Sequence, residues 1–232
     1  MSLFCSYYTY GYMNVYPVTF DKRIDGLGET EEYTVTNTTN KILKYRFYVE
    51  ASENNDMSKW IEFYPESLVL KPGQEKKVKL YINSPTDTKE GEYSAILGIK
   101  ELGIPKITKE NNLLEVYTNL KMKIYGYVGE LPIKLNFKDF KLAKDKNVKL
   151  IGKIENISKR RVDLEFLYIN EKDEYILAEE RIRKDETLNL ESVSLYLDNT
   201  TIKSGKIVIR DKKEHKLLKE IALWNGETLK MF

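Results

Sequence analysis

The chain has 232 residues, of which 41% are hydrophobic and 12% aromatic, with Tyr occurring 17 times. That is enough for a packed core of one to two domains and excludes a disordered chain. Lys and Arg number 38 against 36 Asp and Glu, a formal charge of +2, and neither half is an electrostatic outlier, so nucleic acid and an anionic membrane surface are not suggested as partners.

One histidine, His215, and one cysteine, Cys5, cannot assemble a zinc site. A Ser-His-Asp arrangement has only His215 to draw on, and it sits in a charged, turn-like run, Asp211-Lys212-Lys213-Glu214-His215-Lys216. It reads as a solvated loop histidine. The carboxylates show no calcium-loop spacing, and Gly26-Leu27-Gly28 precedes Glu29 rather than a helix start. The chain is therefore read as a non-enzyme with no metal and no cofactor.

Residues 1–16, MSLFCSYYTYGYMNVY, are crowded with aromatic residues and lack the basic start of an intact signal peptide. They read as a weakly ordered remnant of a trimmed signal. Cys5 resembles a lipidated cysteine only loosely, because Phe4 before it is too bulky. No run of about 18 apolar residues exists, so no membrane span is expected.

Strand signals dominate from there. The predicted strands are Val15–Phe20, Glu31–Asn37, Ile42–Ala51, Trp60–Tyr64, Lys76–Asn83, Glu92–Lys100 and Leu113–Tyr127. Asn37-Thr38-Thr39-Asn40-Lys41, Lys71-Pro72-Gly73-Gln74 and Thr88-Lys89-Glu90-Gly91 read as the turns between them. Seven strands in this length suit an immunoglobulin-like sandwich. A Gly/Pro segment, Val128–Pro132, reads as a hinge. A second set follows: Ile133–Lys141, Val148–Asn156, Arg161–Asn170, Glu174–Ile182, Leu188–Leu197, Lys206–Arg210 and Leu217–Leu223. The expected architecture is all-β: two immunoglobulin-like β-sandwich domains, residues 13–128 and 129–232. Residues 33–41 and 153–159 echo one another as strand, Asn-led turn, strand. Asn37, Asn156 and Asn199 each open a glycosylation-type triplet, which is taken as chance.

The strand at Asn112–Tyr125 has an unusual balance. Leu114, Val116, Thr118, Leu120, Met122 and Ile124 fall on one face, and Leu113, Glu115, Tyr117, Asn119, Lys121, Lys123 and Tyr125 on the other. In this strand the chain resembles the periplasmic fimbrial chaperone family (PapD-like). The likeness extends to Val35–Lys41, to Phe47-Tyr48-Val49-Glu50 and to Phe63–Gln74 with its Pro-Gly turn.

The resemblance implies that Leu114, Val116 and Thr118 are donor residues that complete a pilin-like subunit's core by strand addition. It implies that Lys123 anchors the subunit's terminal carboxylate in the cleft between the domains. Arg23, five residues before Gly28, or Lys22 beside it, would be the second cation. The family's aromatic-Arg-Pro exit is absent at Tyr125-Gly126-Tyr127. The implied function is a periplasmic or cell-envelope chaperone that binds fimbrial or surface subunits, with an outer-membrane usher as a further partner and self-association through the donor edge. The alternative is a structural two-domain immunoglobulin-like surface or assembly protein with no chaperone role. In that case the lysines only guard an edge strand against aggregation.

Overall fold

Period-two alternation sets the architecture. In the computed structural model, which describes residues 13–103, 117–144, 148–193, 204–224 and 228–231, the strands bury one face and solvate the other. Strand β4 (Leu43–Ala51) buries Leu43, Tyr45 and Phe47 and exposes Lys44 and Arg46. Alternate side chains of a pleated strand point to opposite faces, so a strand with this pattern lies on a core without enclosing it.

The chain divides between Glu130 and Leu131 into two compact units. The first holds β1 (Met13–Tyr16), β2 (Asp21–Arg23), β3 (Glu29–Asn37), β4, β5 (Ile61–Tyr64), β6 (Ser67–Leu70), β7 (Glu75–Ile82), β8 (Gly91–Leu102) and β9 (Asn119–Val128). They form two sheets, ordered β1-β3-β7-β5 and β2-β9-β8-β4-β6. Tyr33, Val35, Val78, Leu80 and Ile82 of one sheet and Tyr45, Phe47, Leu97, Ile99 and Ile124 of the other meet in a shared core.

The second unit holds β10 (Leu135–Lys144), β11 (Val148–Asn156), β12 (Val162–Ile169), β13 (Glu174–Ile182), β14 (Thr187–Asn189), β15 (Ser204–Asp211), β16 (Leu217–Trp224) and β17 (Thr228–Met231). Its sheets run β10-β11-β14 and β13-β12-β15-β16-β17. Leu150, Ile154, Leu164, Phe166, Ile182, Ile207, Ile209 and Ile221 form a core of its own. The fold is all-β, two sandwiches in sequence, as the alternation implied. Among the described residues the helical elements are two single 3₁₀ turns, Ser58–Trp60 and Leu190–Ser192.

Several elements differ from the sequence reading. The first strand ends at Tyr16 rather than Phe20, because Pro17 has no amide hydrogen to extend the ladder. The expected strand Leu188–Leu197 is short: β14 stops at Asn189, whose side chain accepts from the Glu191 amide at 3.2 Å, and the chain turns to bury Leu190. Strands β2, β6 and β17 were not anticipated. Residues 113–116 of the expected long strand, with Leu114 and Val116, lie outside the described residues, as does the segment with Cys5.

Asn37 and Asn156 do the same work in the two units. Asn37 Nδ2 donates to the carbonyls of Lys41 (2.7 Å) and Leu70 (3.0 Å), while Oδ1 accepts from the Thr39 amide at 2.9 Å. Asn156 Nδ2 donates to the carbonyls of Arg160 (2.9 Å) and Ile182 (3.1 Å), and its Oδ1 accepts from the Ser158 amide at 2.9 Å. Each closes a five-residue turn and ties it to a second strand or its end, and both are fully buried. The Asn-x-Ser/Thr triplets at these two positions are thus turn chemistry.

Candidate functional site

Strand β9 positions the residues of interest. It pairs antiparallel with β8 along its whole length, Asn119 opposite Lys100 through Val128 opposite Gly91. On its other flank β2 pairs parallel with it, but only from Asp21 opposite Tyr125 to Arg23 opposite Tyr127. The Tyr125 amide donates to the Phe20 carbonyl at 2.9 Å, and the Glu101 amide donates to the Thr118 carbonyl at 2.8 Å. Odd-numbered residues of β9 therefore aim their backbone groups at the β2 flank, and even-numbered ones at β8. From Asn119 to Ile124 the β2 flank carries no strand among the described residues.

The two faces of β9 differ as the alternation predicted. Ile124 and Met122 are buried in the core and Leu120 is half-buried against it. Asn119, Lys121 and Lys123 are exposed on the outer face. Thr118 precedes the strand, half-buried, and its amide donates to a Glu101 carboxylate oxygen at 3.1 Å.

The three cations singled out by sequence have different surroundings. The Lys123 ammonium sits 5.7 Å from the centre of the Tyr125 ring and has no carboxylate partner among the described residues. Arg23 is engaged: Nε and Nη2 form a two-pronged contact with Asp25 at 2.6 and 3.0 Å, and Nη1 reaches Glu130 at 3.3 Å. The hydrogen bond to Asp25 raises the guanidinium above its ordinary value. The Arg23 guanidinium in turn holds the Asp25 carboxyl below the usual carboxylate value, against partial burial and with help from the Gly129 amide.

Lys22 reaches across to β3, contacting Glu29 (3.3 Å), Glu31 (3.2 Å) and the Thr30 carbonyl (3.0 Å). Burial lowers its ammonium, and the hydrogen bonds to Glu31 and Glu29 more than reverse this, so it titrates above its ordinary value. Arg23 lies on the register of Tyr127, four residues from Lys123 along β9, which is about 13 Å of strand rise. Both belong to the outer face. Lys22, on the Gly126 register, turns to the opposite sheet.

The rest of the outer face was not singled out by sequence. In register across β4, β8 and β9 lie Arg46, Lys100 and Asn119, then Tyr48, Gly98 and Lys121, then Glu50, Ile96 and Lys123. The Tyr48 ring lies flat on Gly98, where a Cβ would stand 2.1 Å from its Cζ. Its hydroxyl donates to Asn119 Oδ1 at 2.7 Å. Lys121 pairs with Glu50 at 2.8 Å, and this hydrogen bond raises the lysine above its ordinary value. A groove of about 590 Å³ opens on this face, lined by Arg46, Tyr48, Glu50, Glu66, Lys100 and Asn119 among others. Register across strands, invisible in a linear sequence, is what assembles it.

No cluster of His, Cys, Asp and Glu able to hold a metal occurs among the described residues. No helix there is long and apolar enough to cross a membrane.

No protein-family model matches the chain, and no curated protein sequence matches it. Solved structures do. The chain is similar to the class 5 fimbriae chaperone CfaA at 16% identity, covering 95% of this chain and 99% of that one with a TM-score of 0.50. It is similar to a chain of the chaperone–tip adhesin complex of CFA/I fimbriae biogenesis at 14% identity, covering 91% and 98%, TM-score 0.50. It is similar to the periplasmic chaperone SfaE at 11% identity, covering 90% and 98%, TM-score 0.50. Two sandwiches matched over nearly the full length of both chains give this protein the fold of the periplasmic pilus chaperones.

Proposed function

We propose that this chain is a periplasmic or cell-envelope chaperone that captures fimbrial or other surface subunits by lending them β9 and the residues before it as a strand. The observation that carries the reading is the uncovered flank of β9 from Asn119 to Ile124 among the described residues. It presents backbone donors and acceptors beside an apolar row, the chemistry that strand addition requires. By the alternation of the sequence Leu114, Val116 and Thr118 would continue that row and fill the subunit's groove. Lys123 would hold the subunit's terminal carboxylate. Its ammonium is the one of the three candidate cations with no acidic partner among the described residues, so a carboxylate there displaces nothing. Arg23 is the second cation in this reading, sharing its fork with Asp25. Lys22 is the weaker choice because it is committed to β3. The non-enzymatic role follows, and an outer-membrane usher would be a further partner.

The test is capture of co-expressed subunits encoded beside this chain by Lys123→Ala. Capture should fall at least tenfold while the melting temperature moves by no more than a degree or two, because an exposed lysine contributes little to folding. A variant that melts lower and still captures subunits would favour a structural role for the chain.

A further inference from the structure

The charge on the outer face of the β4-β8-β9 sheet is lopsided in a chain of net charge +2. Lys44, Arg46, Lys100, Lys121 and Lys123 all project from it and are exposed. Against them on this face stand Glu50, already paired with Lys121, and toward the far end of β9 Asp21 on the Tyr125 register and Glu92 on the Tyr127 register. Glu66 borders the groove at the rim. Lys44, Arg46, Lys100 and Lys123 have no ion-pair partner among the described residues. These cations flank the part of β9 that no strand among the described residues pairs on its β2 side, so whatever pairs there lies in their field.

We infer that the strand received by β9 is an acidic one, alternating apolar residues on the side of Leu120, Met122 and Ile124 with Asp or Glu on the side of Lys121 and Lys123. The inference rests on the strand-addition reading and narrows its partner class. Side chains directly across two paired strands lie about 5 Å apart, where opposite charges attract and like charges repel. A strand added to β9 continues the sheet, so its outer-face residues stand beside Lys121 and Lys123, with Lys100 and Arg46 one and two strands behind. The same layout acts against the chain itself. Two copies joined edge to edge through β9 would bring their lysines together, so the face selects a foreign acidic strand over a second copy.

The experiment uses the full chain and three labelled synthetic strand peptides. Each has the same alternating valines, with Glu, Gln or Lys at the intervening positions, and binding is followed by fluorescence anisotropy. At low salt the Glu peptide should bind at least tenfold more tightly than the Gln peptide, and the Lys peptide should bind worst. The gap should close in 0.5 M salt, where screening shortens to a few ångströms. Arg46→Glu with Lys100→Glu should narrow the Glu-over-Gln gap several-fold and leave the Gln peptide unchanged, which also shows that the variant is folded.

Equal binding of the Glu and Gln peptides overturns the charge inference alone. Failure of both peptides overturns strand addition with it. Undiminished binding of a Glu peptide N-methylated at alternate residues means that charge acts without strand pairing, which also overturns the inference.

Discussion

Asn37 shows how much a single side chain settles. Its amide satisfies the Lys41 carbonyl of the turn and the Leu70 carbonyl at the end of β6, and its oxygen accepts from one turn amide, all on a side chain that is itself buried. Asn37→Ala leaves those groups without a partner and should cost about 2–3 kcal/mol in urea unfolding. Asn156→Ala should do the same in the second unit, and neither asparagine should carry a glycan in the folded protein. Asp25 makes a pH-dependent contribution. Its folded pKa lies below the ordinary 3.8, so it stabilises the fold above that pH, and the contribution fades as pH falls through the folded value. Asp25→Asn should flatten the acid limb of the stability curve below about pH 4, and Arg23 should lose its rigid fork. The sequence reading saw the Asn-led turns as an echo between the halves. It had no means of seeing that the asparagines are buried.

At the scale of elements, alternation was legible wherever one face is apolar. The faces of β9 and the buried row of β4 follow directly from it. The short strands were not legible: β2 is Asp-Lys-Arg, without an apolar alternation, and exists through backbone pairing to β9. In sequence β6 reads as part of a Pro-Gly turn element, although its Leu68 and Leu70 alternate into the core. Nor was the groove legible, since Gly98 reads simply as a glycine inside a strand. In the fold it is where the Tyr48 ring rests. Gly98→Ala should lift that ring, break the Tyr48–Asn119 hydrogen bond and destabilise the first unit by about 1–3 kcal/mol. Thermal unfolding measures the cost, and the Tyr48 ring signals in an NMR spectrum report the displaced ring.

For the whole molecule, the separation of the two cores has a direct consequence. Among the described residues the first core draws on residues from Val15 to Val128 and the second on residues from Phe140 to Ile221, with no member in common. A fragment ending at Glu130 should therefore fold alone and unfold in one cooperative transition, with an m-value near the share of surface it buries. A fragment that stays unfolded would mean that the first sandwich depends on the second. The two-sandwich plan was legible from strand count and the Gly/Pro segment. The different surroundings of Arg23, Lys22 and Lys123 were not, because the three are told apart only by the carboxylates that folding brings to the first two.

Strand β2 occupies the flank of β9 only from Tyr125 onward. A chain laid along that flank from the Asn119 end runs six residues, about 20 Å, before it abuts β2. In the strand-addition reading proposed above, the short parallel strand is an end stop. A slip of one residue would turn every side chain of an added strand to the wrong face, and such a stop would set its position by steric abutment, in addition to the charges of its side chains. Strands that share the apolar–acidic alternation but differ in detail would then all be seated in one frame.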